Sequence, residues 1–186
     1  MMVDVNARSS KLRMSVRLAG VGLAVAALAG CGDITPDEAA VIDGQSIGES
    51  ELQEATAQLN SISAEAATPS SVLGELTRTP FLDTVLDGSP AALTEQQVSE
   101  LLAENGLNNP NDLTVDVART RQYLAVLQDP EVLEDPEMSE ALNRLQNITA
   151  EDIEGVVEEI NPRYGDFDPE TATIVSSTPE WIEPAG

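Results

Sequence analysis

Carboxylates are the one reactive group this chain has in quantity. Glu158-Glu159 and the Asp166/Asp168 pair are the arrangements that could supply a general acid and a general base, the chemistry glycosidases build from two carboxyl groups. Against that, the 156 residues from Cys31 onward hold 32 acids, so neighbouring pairs arise from composition alone, and consecutive acids on a helix do not face one another. Solvated surface charge is the favoured reading. Calcium would find hard oxygens at Asp166-x-Asp168 or at Asn108, Asn109, Asn111 and Asp112, but neither cluster has the ordered ligand series of a calcium loop. Asn147-Ile148-Thr149 fits a glycosylation sequon, and Thr149 as a helix cap is the simpler account.

The residues that are missing exclude more. The chain has no His and a single Cys, so Ser-His and Cys-His dyads, His-ligated zinc, intramolecular disulfides and Cys-cluster metal sites are ruled out. No Lys follows Arg17, which removes Schiff-base chemistry and a P-loop lysine. Four of the nine basic residues precede residue 31, leaving five against 32 acids and a formal charge of −27 beyond it. Such a surface repels phosphate backbones, so nucleic acid is not an expected partner. No catalytic residue, metal or cofactor is expected, and the chain is read as a non-enzyme.

The sharpest pattern lies at the start. Arg8, Lys11, Arg13 and Arg17 precede LAGVGLAVAALA at 18–29, a charged region followed by an apolar run of signal-peptide length. That run is too short to cross a hydrocarbon core of ~30 Å as a permanent helix. Leu28, Ala29, Gly30 and Cys31 follow, and they resemble the bacterial lipobox. The resemblance implies diacylglycerol on the Cys31 sulfur, cleavage before it, and a protein anchored by lipid on the extracytoplasmic face of the cell membrane. Residues 1–30 are then the leader, 31–37 a tether and 38–186 the working domain.

The elements that must position any site read as follows. Ala40-Val41-Ile42 is a strand, Asp43-Gly44 a tight turn and Gln45-Ser46-Ile47 the return. Ser50 with Gln53 is a capping-box pattern, opening a helix over about 50–66 that stops before Thr68-Pro69. Apolar spacing predicts further helices: a stretch over 72–86 interrupted near Pro80, one after Thr94 ending near Gly106, and others over 112–128 and 137–147. Thr149 with Asp152 caps a last helix carrying Ile153, Val156, Val157 and Ile160, and Thr173-Ile174-Val175-Ser176 reads as a strand. Leu, Ile, Val and Phe number 38 of the 156 residues, enough for a thin aliphatic core. Three of the five aromatic rings, Tyr164, Phe167 and Trp181, lie near the end, where they should pack against the body.

Pro162-Arg163-Tyr164-Gly165 is the most distinctive internal cluster. Its Arg reads as a structural clamp pairing with local carboxylates or stacking on a ring, with contact to an anion or peptide carboxylate as the alternative. Residues 40–47 with Glu51 and Leu52 behind them resemble the opening of SurA/PrsA-type extracytoplasmic chaperones. Asn161-Pro162-Arg163-Tyr164-Gly165-Asp166-Phe167-Asp168 is similar to the C-terminal segment of small lipoproteins with a SurA N-terminal-like domain. The likeness covers roughly 38–66 and 150–182. It implies a mostly α, SurA N-terminal-like domain with a small β-sheet pairing its N- and C-terminal strands, Val41 sharing a sheet with Ile174. It also implies a non-catalytic, chaperone-like surface for unfolded or secreted polypeptides. The parvulin isomerase module is missing, so no isomerase activity is expected. The competing expectation is an accessory envelope lipoprotein that binds one dedicated protein.

Overall fold

A computed structural model of the protein describes residues 35–175. The leader, Leu28, Ala29, Gly30, Cys31, Ser176 and Trp181 lie outside the described residues. Strand β1 (Glu38–Ile42) turns at Asp43-Gly44 into β2 (Gln45–Gly48). Ile42 pairs with Gln45, and both turn residues have positive φ, 49° and 72°, as a two-residue primed turn demands. Helix α1 (Glu49–Ile62) leaves β2 directly. The expected Ser50–Gln53 capping box is not used: extended Gly48 is the N-cap residue, and the Glu49 N–H donates to the Asp37 carbonyl at 2.8 Å. The helix also ends four residues early, because the Asn60 side chain both donates to and accepts from the Ala67 backbone and folds 63–67 into a turn.

Helices α2 (Pro69–Leu76) and α3 (Thr79–Leu86) divide the predicted interrupted stretch, with Thr68 and Ser71 forming a capping box for α2. Thr94 and Gln97 do the same for α4 (Glu95–Glu104). Helix α5 (Asp112–Val126) packs against α1, α2, α3 and α4 and is the hub of the helical layer. Being enclosed on several sides, it buries Thr114 and Thr120 as well as Val115, Val117 and Tyr123. The buried hydroxyls are paired, Thr120 with Thr79 at 2.8 Å and Thr114 with Gln58 at 2.8 Å. Short α6 (Pro130–Leu133) and a 3-10 turn lead to α7 (Ser139–Gln146), which packs on α3.

The predicted last helix is helical only in its first half and strand in its second. Helix α8 (Ala150–Glu154) stops at Gly155, and β3 (Val157–Ile160) pairs antiparallel with β1. Ile153, Val156, Val157 and Ile160 fit a helical face, but three of them sit in a short β-branched run, which suits a strand when an open edge is available. That edge is β1. The three-stranded sheet therefore has the order β2-β1-β3 and joins N-terminal strands to a C-terminal one. The final segment behaves differently from expectation: β5 (Thr173–Val175) pairs with β4 (Asp166–Asp168) in a separate two-stranded sheet, and Ile174 faces Phe167, not Val41. The protein is mostly helical with a small antiparallel sheet. Its largest core cluster joins that sheet to α1, α2, α5 and Tyr164.

The Asn161–Gly165 cluster closes the fold. The Asn161 backbone N–H and side-chain amide donate to the carbonyls of Ala39 and Glu38, both at 2.9 Å. Arg163 reaches the Pro36 carbonyl at 3.1 Å and the Glu49 carboxylate at 2.7 Å, and lies over the Tyr164 ring at 5.9 Å. Gly165 has φ +120°, and a Cβ there would stand 2.3 Å from the Val175 carbonyl oxygen. Gly165→Ala is therefore expected to lose about 2 kcal/mol or more of stability by denaturant titration. Unchanged stability would mean that β4 and β5 do not approach this closely.

Candidate functional site

An open groove of about 540 Å³ runs between α3, α7 and the segment from α8 into β3, with the β1–β2 turn at one side. Its apolar lining comes from Pro80, Phe81, Val85, Ile148 and Val156. Helix α3 turns Leu82, Val85 and Leu86 into the second core cluster, leaving Phe81 half-buried on the groove side. Helix α7 supplies Glu140, Asn143 and Arg144. Arg144 does not stand free in the groove: it donates to the Val85 carbonyl at 3.0 Å and the Asp87 carbonyl at 2.6 Å, where the C-terminal dipole of α3 favours a cation.

The groove's rim is acidic. Asp43, Glu140 and Asp152 are exposed around it. Asp43 is held by its own N–H, which donates to the Val156 carbonyl at 2.7 Å, and by the next residue, whose N–H donates to Glu158 Oε1 at 2.7 Å. Asp152 completes the Thr149 capping box, accepting from the Thr149 N–H at 2.8 Å and its hydroxyl at 2.6 Å. Those hydrogen bonds, the hydroxyl's first, hold the Asp152 carboxyl below the usual carboxylate range, so it is ionised at neutral pH.

The sequence-based candidates do not converge on the groove. Glu158 and Glu159 lie on strand β3, not on a helix, and point to opposite faces of the sheet. Asp168 accepts from the Glu170 N–H and the Thr171 hydroxyl and so shapes the β4–β5 connection, while Asp166 is exposed. Asn111 caps α5 and ties it to the Glu51 carbonyl. Among the described residues no group of three or more acids or thiols is placed to hold a metal ion, and no helix is long and apolar enough to cross a membrane. Asn161, Arg163, Tyr164 and Gly165 make the closing contacts described above, away from the groove. Phe81 was not singled out by sequence, although it is one of only five aromatic residues and sits one position off the buried face of its helix.

A smaller cavity of about 250 Å³ lies between the sheet, α3 and α5, lined by Asp83, Asp116 and Arg119 among others. Arg119 pairs with Asp116 and, at 3.2 Å, with Asp83, while its Nε is buried without a partner. Burial raises the Asp116 pKa; Arg119 lowers it, and Asp83 and Asp112 add to the rise. A carboxyl raised in the folded state contributes stability that is full below its unfolded pKa and is lost as pH rises through the folded value. Asp116→Asn, which keeps the acceptor and removes the charge, should therefore raise Tm at about pH 7 and leave it unchanged near pH 3. A lower Tm at neutral pH would show that the Arg119 attraction outweighs burial.

Comparison with protein-family models, with curated proteins and with solved structures finds no match.

Proposed function

We propose that the protein is a membrane-tethered, extracytoplasmic polypeptide-binding domain of the SurA N-terminal-like type. It holds apolar segments of unfolded or secreted chains. The observation that carries the reading is the groove: an apolar floor of about 540 Å³, open on an otherwise strongly acidic molecule. Holding a chain in such a groove requires apolar area and no reactive side chain.

Two further features support it. The β1–β2 hairpin leads straight into α1, and a later strand, Val157–Ile160 rather than the expected 173–176, returns to pair with β1, so N-terminal strands and a C-terminal one share a small sheet. The tether would enter at Pro36, at the start of β1, whereas Asp43 stands at the groove on the far end of that strand. Five strand residues at about 3.3 Å each separate the two by roughly 16 Å. The N-terminal end of the described residues therefore lies at the opposite end of β1 from the groove rim.

The test is suppression of aggregation. The full chain, in nanodiscs of neutral lipid and at several-fold molar excess, should lower the light scattering of a denatured secreted protein by about half or more in physiological salt. Phe81→Ser should lose most of that effect when assayed well below its Tm, which falls by a few degrees because Phe81 packs half-buried on the second core cluster. No suppression by the unaltered chain would remove this reading, and recovery of one stoichiometric protein from membranes would favour a dedicated partner instead.

A further inference from the structure

The groove's charges narrow what it can take. Its apolar floor would accept any hydrophobic segment, but Asp43, Glu140 and Asp152 surround that floor from three separate elements, the β1–β2 turn, α7 and α8. Among the described residues Arg144 is the one cation lining it, and it donates to two backbone carbonyls at the end of α3. Capping hydrogen bonds hold the Asp152 carboxylate, and backbone hydrogen bonds hold the main chain at Asp43, so the rim is partly ordered before any ligand arrives.

We propose that the groove takes an apolar peptide segment flanked by Lys or Arg, with the apolar side chains against Phe81, Val85, Ile148 and Val156 and the cations on the carboxylate rim. The inference rests on the reading of the groove as a polypeptide site and adds the class of segment it selects. Charge complementarity carries it: a cationic flank gains attraction at the rim, whereas an acidic flank meets like charge both there and across the surrounding surface. The C-terminal stretch 176–186, with Glu180 and Glu183 and no basic residue, has the wrong charge to be the occupant.

Three fluorescent peptides with one shared apolar core, flanked on each side by Lys, Ser or Glu, test this against the full chain in neutral-lipid nanodiscs, with empty nanodiscs as the blank. The Lys-flanked peptide should bind about tenfold more tightly than the Ser-flanked one and the Glu-flanked peptide least, with the differences largely lost near 0.5 M salt. The variant Asp43→Asn/Glu140→Gln should bring the Lys-flanked peptide to the Ser-flanked affinity; both residues are exposed, and Asn tolerates the left-handed conformation at 43. Phe81→Ser should weaken all three peptides. Equal binding of the three by the unaltered chain would overturn the charge selection and leave the groove reading standing. A Lys preference that survives Asp43→Asn/Glu140→Gln would place the cations elsewhere on the acidic surface and overturn the proposal. Failure of every peptide to bind would overturn the groove reading itself.

Discussion

Strand β1 is paired on both sides, by β2 immediately after it and by β3 more than a hundred residues later, and the fold depends on that second pairing. Bringing the two ends of so long a segment together costs conformational entropy that local contacts do not return. The return comes from several interactions made at one place. Asn161 covers two carbonyls at the start of β1, Arg163 reaches Pro36 and Glu49, and Glu158 accepts from Gly44 at the opposite end of the strand. Tyr164 then buries its ring in the cluster formed by the sheet, α1, α2 and α5. The helical layer is thus enclosed between two strands that hold one another, and the groove forms where β3 emerges from α8.

The scarcity of cations shapes the rest. Each of the five arginines in the described residues bonds to a distant element. Arg78 donates to the Ala172 carbonyl, Arg119 to Asp83, Arg121 in a two-point pair to Glu75, Arg144 to the end of α3 and Arg163 to the N-terminal segment. A partly exposed pair such as Arg121–Glu75 contributes at most about 1 kcal/mol. Their value is positional, since each guanidinium holds two elements at a defined separation. Among the described residues most carboxylates face solvent, and the acidic exterior follows from this distribution as much as from the count of acids.

The described acids that have partners serve the fold. Where a carboxylate has a partner, the partner is usually a backbone N–H, a hydroxyl or an arginine serving the fold: Asp152 caps α8, Asp168 shapes a turn, and Asp83 and Asp116 hold Arg119. The groove is the exception on this surface, because Phe81 and Ile148 of the second core cluster and Val156 at the edge of the first give it an apolar floor inside its charged rim.

Much of the local structure was legible in the residues themselves. The Asp43-Gly44 turn, the Thr94 and Thr149 caps and the break near Pro80 follow from backbone chemistry that acts over a few positions. The acidic balance, the missing His and the lack of Lys beyond Arg17, which bear on what the chain can do, are properties of the sequence alone. What tertiary structure decided was the fate of ambiguous segments. Val157–Ile160 carries a pattern that either a helix or a strand can use, and the open edge of β1 selected the strand. Ser50 lost its predicted capping role because the chain enters α1 directly from β2, with the Asp37 carbonyl already bonded to Glu49. The groove could not be read from sequence at all: Asp43, Phe81, Glu140 and Asp152 are spread over a hundred residues, and only the packing of α3, α7 and β3 brings them to one surface.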